Sequence, residues 1–104
     1  MNIRKMEKLR AAGWNIGNAH DFLELSKEES ALVEIKVALA SSLRRRRIRR
    51  KLTQEALATI LNSSQSRVAK MESADASVSI DLLLRSLLAI GVTQRGVAKI
   101  LTPS

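Results

Sequence analysis

The chain contains no cysteine. Disulfides and thiolate metal sites are therefore excluded, and the composition fits a reducing compartment. Proline occurs once, as Pro103, and glycine four times, so little interrupts helices. Aromatic residues make up 2% of a chain that is 45% hydrophobic, which leaves leucine, isoleucine, valine and alanine to build a core. β-branched residues do not alternate at period two, and no strand is expected. No apolar run approaches the roughly 18–20 residues of a membrane span. The stretch after Met1 lacks the apolar centre of a signal peptide. The expectation is an all-α protein of the cytoplasm, with no membrane association. Its 104 residues make one domain, with room for an extension.

Catalytic chemistry is also missing. His20 is the only histidine, and no carboxylates cluster, so metal-ligand spacing is absent. There is no glycine-rich phosphate loop and no nucleophile elbow. Ser63, Ser64 and Ser66 have no nearby base to activate them. No enzyme, cofactor or metal is expected.

Charge is what the chain has in excess. The net charge is +8, and its location matters more than its size. Residues 1–43 hold six basic and six acidic residues, 44–73 hold nine basic and two acidic, and 74–104 hold three basic and two acidic. Almost all the excess sits in 44–73. Evenly spread charge would argue only for solubility; a stripe is the footprint of phosphate binding.

That stripe contains the stretch Thr53 to Ser73, around which the chain is organised. Leu57, Ala58 and Leu61 share one face of a short helix from Gln54. Asn62-Ser63-Ser64 then breaks the pattern with residues that favour turns and N-caps. A second helix runs from Gln65 to Glu72, with Val68 and Met71 facing in and Gln65, Ser66, Arg67, Ala69 and Lys70 on or near the outer face. Two short helices joined by a tight turn describe a helix-turn-helix. Glutamine, serine, arginine and lysine are side chains that address base edges and phosphates.

Before the motif, Met1–Ala12 reads as a mixed-charge helix stopped by Gly13. Trp14, Ile16, Phe22, Leu23 and Leu25 follow as apolar anchors, with Asn18 or Asp21 as a cap. Residues 1–30 are thus an arm, which either packs on its own domain or offers a surface to a partner. The domain proper spans 31–104. Ser26 and Glu29 form a capping box opening a helix that runs to about Lys51. Leu32, Ile35, Leu39 and Leu43 make one apolar stripe, and Val33, Val37, Ala40 and Ile48 another. The run RRRRIRRK, residues 44–51, is basic at seven of eight positions and reads as a nucleic-acid surface; the plainer alternative is a solvated helix end. Arg47 continues the stripe 35, 39, 43, points inward and needs a carboxylate.

After the motif, Ser73–Ser79 is a polar loop whose hydroxyls could meet a phosphate. Ser79 caps a helix from Ile80 to Ile90, apolar at Ile80, Leu83, Leu84, Leu87 and Leu88 and stopped by Gly91. Thr93 opens a last helix with Val97, Ile100 and Leu101 inward.

The segments LTQEALA and SSQSRVAKME resemble the Xre/Cro-type helix-turn-helix of phage repressors and bacterial antitoxins. The match covers roughly residues 39–101 and departs from the family at Asn62, where glycine is common. The resemblance implies a five-helix, lambda-repressor-like DNA-binding domain, here with an N-terminal helical extension. It implies double-stranded DNA as partner, base contacts at Gln65, Ser66 and Lys70 with Arg67 beside them, and backbone contacts at Gln54. Ser64, Ser73, Arg44, Arg45 and Arg46 join Gln54 on the backbone. It also pairs Arg47 with Glu72 as a structural ion pair, and implies a homodimer. The pattern Gly13-Trp14-x-Ile16-Gly17 followed by Phe22-Leu23-x-Leu25-Ser26-x-Glu28-Glu29 is similar to HigA-type antitoxins. That similarity implies an autorepressor with a RelE/HigB-like toxin as protein partner. The alternative is a protein-interaction module that binds its partner through the N-terminal arm, with DNA binding secondary. An RNA-binding protein is the weaker rival, because single-strand readers stack bases on aromatics and the basic run has none.

Overall fold

A computed structural model describes residues 26–102. The expected helix Met1–Ala12, its Gly13 stop, the anchors from Trp14 to Leu25, the Asn18 or Asp21 cap, His20 and Pro103 lie outside the described residues. Among the described residues there are five helices and no strand: α1 (Lys27–Arg49), α2 (Gln54–Ile60), α3 (Gln65–Glu72), α4 (Ile80–Ala89) and α5 (Gln94–Leu101). No described helix is long and apolar enough to cross a membrane.

The chain divides into two compact units, Met1–Glu34 and Ile35–Ser104. In the first, the described part is the start of α1. Ser26 N–H donates to Glu29 Oε1, and Glu29 N–H donates to Ser26 Oγ, both at 3.1 Å. The capping box is closed in both directions, which satisfies two of the helix's free donors.

The second unit is built on an aliphatic core. Leu39 and Leu43 of α1, Leu57 of α2, Val68 and Met71 of α3, and Leu83 and Leu87 of α4 are wholly buried. Val78, Ile90 and Val92 close the core from the loops. Three expectations are corrected here. Ala40 is buried among the core residues and does not belong to the outer stripe of Val37 and Ile48, which are about half exposed. Leu88 and Leu101, expected inward, are 47% and 40% exposed. The buried side of α4 is centred on Leu83, Ser86 and Leu87, and Leu88 lies one residue, about 100°, past it. On α5, Val97 and Ile100 pack on the core and Leu101 is rotated away in the same manner. Ser86 is tolerated inside because its hydroxyl donates to the Leu82 carbonyl at 2.8 Å.

Each of the four later helices starts on a hydroxyl. Thr53, Ser64, Ser79 and Thr93 are N-caps whose side chains accept from the N–H of Ala56, Arg67, Leu82 and Gly96. The helix ends are equally uniform. Lys51, Asn62, Ala74 and Gly91 take positive φ values of 59°, 56°, 56° and 100°. In each case the next residue's N–H bonds a carbonyl five positions back, as in Leu52 to Arg47 and Asp75 to Lys70, each closing a Schellman motif. This is why α1 stops at Arg49 and does not continue to Lys51. Gly91 and Asn62 suit that conformation; Lys51 and Ala74 adopt it without the usual residue type.

Candidate nucleic-acid interface

The helix-turn-helix is set by three local choices. Thr53 and Ser64 fix where α2 and α3 begin, and the left-handed Asn62 reverses the chain between them, with Ser63 N–H on the Ala58 carbonyl at 2.8 Å. Leu57 and Ala58 on α2, and Val68 and Met71 on α3, are the buried pins that fix the two helices against the core. With those positions inward, Gln65, Ser66, Arg67 and Lys70 are exposed and Ala69 is half-buried. Four polar side chains are thus exposed on α3, Gln65, Ser66 and Arg67 in its first turn and Lys70 in its last.

A chain of hydrogen bonds runs from this face into the interior. Gln65 Nε2 donates to Gln54 Oε1 at 2.7 Å. Gln54 Nε2 donates to Glu72 Oε1 at 3.1 Å. Glu72 also receives Arg47, Nε to Oε2 at 2.6 Å and Nη2 to Oε1 at 3.1 Å. Arg47 Nη1 donates onward to the Leu52 carbonyl at 2.8 Å. The Glu72 side chain is 3% exposed and that of Arg47 13%, so this bidentate pair is largely desolvated. The hydrogen bond from the Arg47 guanidinium to Glu72 raises the guanidinium's pKa, and the carboxylate's charge adds to the effect against the opposing cost of burial. The two glutamines therefore link the outer tip of α3 to a buried ion pair, a connection that nothing in the spacing of 54, 65 and 72 along the chain announces.

The seven basic residues of 44–51 do not act alike. Arg44, Arg45, Arg49 and Lys51 are exposed. Arg46 donates from Nε to Ser42 Oγ at 3.1 Å, one turn back on its own helix. Arg47 is committed to Glu72, and Arg50 Nη2 donates to the Ile90 carbonyl at 2.6 Å. Arg50 therefore ties the end of α1 to the end of α4. Its role was hidden in the sequence, because one arginine in a run looks like the next.

Ser64 serves as the α3 N-cap and its Oγ lies 3.3 Å from that of Ser66. Ser73 is the C-cap at the opposite end of α3, with its hydroxyl on the Lys70 carbonyl. Beside the α3 face lies an open depression of about 340 Å³, lined by Ser64, Ser66, Arg67, Lys70, Ser77, Val78 and Leu82. Hydroxyls and two cations over a small apolar floor suit a sugar-phosphate. Ser77 belongs to the loop whose hydroxyls the sequence offered to a phosphate, whereas Val78 and Leu82 were not singled out. The signal for the loop was the Asp75-x-Ser77 spacing, since Asp75 Oδ2 accepts both the N–H and the hydroxyl of Ser77.

The two helices and the polar face of the second give a surface that can lie along a groove, with cations on neighbouring elements for phosphates. Comparison with curated proteins and with solved structures found no match. A family model described as a helix-turn-helix domain matches residues 21–95. That span takes in α1 to α4 and most of the chain, and the protein belongs to this helix-turn-helix domain family.

Proposed function

We propose that the protein is a sequence-specific DNA-binding transcriptional regulator of the Xre/Cro type. The observation that carries this reading is the free face of α3. Gln65, Ser66, Arg67 and Lys70 are exposed there on a helix whose other side is pinned by Val68 and Met71, and exposed arginines of α1 belong to the same basic stripe. In this reading the N-terminal half of α3 enters the major groove. Gln65, Ser66, Arg67 and Lys70 address base edges; Gln54, Ser64, Ser73, Arg44, Arg45 and Arg46 hold the backbone. The protein acts by binding and not as an enzyme. It binds as a homodimer to half-sites about 34 Å apart; Leu88 and Leu101 are apolar side chains of the kind a second copy covers.

Autorepression as an antitoxin, with a RelE/HigB-like toxin as partner, is the finer part of the proposal. It is supported by the residue pattern from Gly13 to Glu29. Co-purification of the product of an adjacent small basic nuclease gene tests it, and an isolated gene weighs against it.

The test of DNA reading is selection of bound duplexes from a random pool at about 150 mM salt, which screens bare charge attraction. An enriched palindrome is the expected result. Binding that enriches nothing and vanishes as salt rises would mean that the basic stripe holds only backbones, and the protein-interaction reading would take its place.

A further inference from the structure

We propose that the chain associates with a second copy of itself through α1, the acidic start of one copy docking on the basic end of the other. The basis is a pair of exposed apolar clusters with rims of opposite charge. Ile48 is about half exposed. Arg44 and Arg45 stand one turn before it, Arg49 beside it and Lys51 just past the helix end, all exposed. Among the described residues these four cations have no ion-pair partner. Arg46, Arg47 and Arg50 are instead engaged, with Ser42, Glu72 and the Ile90 carbonyl. At the start of α1, Leu32 and Val33 are also about half exposed, with Glu28, Glu29 and Glu34 about them. Residues 27–34 hold three acidic side chains and one basic, while residues 44–51 hold seven basic and none acidic.

An apolar centre with a polar rim is the anatomy of a protein interface, and opposite rims fix its register. A phosphate backbone would use the cations but leave Ile48 without an apolar counterpart. The start of α1 supplies both, Leu32 and Val33 for Ile48 and Glu34 for the arginines. Both clusters belong to one unbroken helix, whose two ends cannot meet, so the partner is a second copy. The paired helices run antiparallel, since parallel pairing would set like charges side by side. Regulation is built into this contact. Arg44 and Arg45 are also the cations that the proposed function gives to the DNA backbone, and only here is that reading needed. They cannot hold Glu34 and a phosphate at once, so bound duplex and self-association through α1 exclude one another.

The experiment is analytical ultracentrifugation of the full chain at low and high salt. It compares wild type, Glu34→Lys, Arg45→Glu, Ile48→Ser and an equimolar mixture of the two charge reversals. Wild type should form an assembly that salt weakens and each reversal removes. The mixture should restore it, because each variant keeps the end that the other has lost. Mass that remains in the single variants belongs to other surfaces, such as Leu88 and Leu101. Ile48→Ser should raise the dissociation constant by about fivefold, the order of burying the rest of one aliphatic side chain. Should a reversal unfold the chain, Glu34→Gln and Arg45→Gln decide by the same loss. A wild type no heavier than both reversals, or a mixture no heavier than its parents, overturns the inference. On a saturating labelled duplex, wild type and Glu34→Lys should sediment alike. A heavier wild-type complex overturns the exclusion and the assignment of Arg44 and Arg45 to the backbone, while the α1 contact stands.

Discussion

Arg50 and Ile90 stand 40 residues apart, and the guanidinium of one donates to the backbone carbonyl of the other at 2.6 Å. The bond reaches the C-cap of α4, where carbonyls lack helical partners and cations are favoured. Arg50→Ala should therefore cost about 1–2 kcal/mol of stability, the range of a charge-assisted bond at a partly exposed site. Arg45→Ala should leave the urea midpoint unchanged and weaken DNA binding equally on all sequences, with the salt slope lower by about one. Lys70→Ala should instead relax preference at one base pair. If Arg45→Ala and Lys70→Ala lose the same affinity on specific and random duplex, the division of roles is wrong.

Removing one partner of the buried ion pair should be severe. Arg47→Ala strands the Glu72 carboxylate, whose side chain is 3% exposed, and should cost about 3–5 kcal/mol. Replacing both residues by methionine should cost much less, because no unpaired charge is left inside. Chemical denaturation followed by circular dichroism measures both. A double variant as unstable as Arg47→Ala would show that charge satisfaction is not the cause.

Two helix ends use the wrong residue for their conformation. Lys51 and Ala74 hold φ values of 59° and 56°, where a side chain is strained. Lys51→Gly and Ala74→Gly should each raise stability by about 0.5–1 kcal/mol, relief of strain outweighing the flexibility glycine adds to the unfolded chain. Gly91→Ala should do the reverse. A Cβ there meets only Arg50 Nη2 at 3.8 Å, so the cost comes from φ of +100° and not from crowding. Thermal melts of the three variants check the signs.

Asp75 carries a pH dependence of its own. The Ser77 hydroxyl and then the Ser77 N–H hold its carboxyl below the ordinary value of 3.8, with Lys70 and Lys36 adding a smaller positive influence. A carboxyl depressed on folding stabilises above its unfolded pKa and stops doing so as pH falls through the folded value. The order of the loop between α3 and α4 should thus be intact at neutral pH and weaken only in acid below the usual carboxylate range. Carboxyl-carbon NMR should find the Asp75 midpoint below 3.8 in the wild type and raised by Ser77→Ala. An Asp75 midpoint that Ser77→Ala leaves in place would exclude Ser77 as the cause.

Local signals carried most of the architecture. Thr53, Ser64, Ser79 and Thr93 cap helices because a hydroxyl next to an apolar-periodic run has one nearby use, the free N–H groups of the first turn. Leu57, Val68, Met71, Leu83 and Leu87 are core because their spacing puts them on one face. What was not legible depended on distance or on an unfavourable residue. Lys51 and Ala74 reverse the chain against their own preference. Leu88 and Leu101 continue the apolar run of their helices but lie one residue past its buried side, and periodicity alone does not say how far round the helix the core reaches. At the α3 face, the outward positions of Gln65, Ser66, Arg67 and Lys70 follow from spacing. The bonds between Gln65, Gln54 and Glu72 do not, since they depend on how α2 and α3 meet.

The aliphatic core has an optical consequence. Trp14 and Phe22, the chain's only aromatic residues, both fall within Met1–Glu34. The Ile35–Ser104 unit therefore contributes no near-ultraviolet absorption or fluorescence of its own, and no aromatic ring within it shifts its methyl resonances. Emission from Trp14 reports on the first unit, while helical dichroism is dominated by the second. Changes around Trp14 and unfolding of the core can thus be followed in one sample by signals that belong to different parts of the chain.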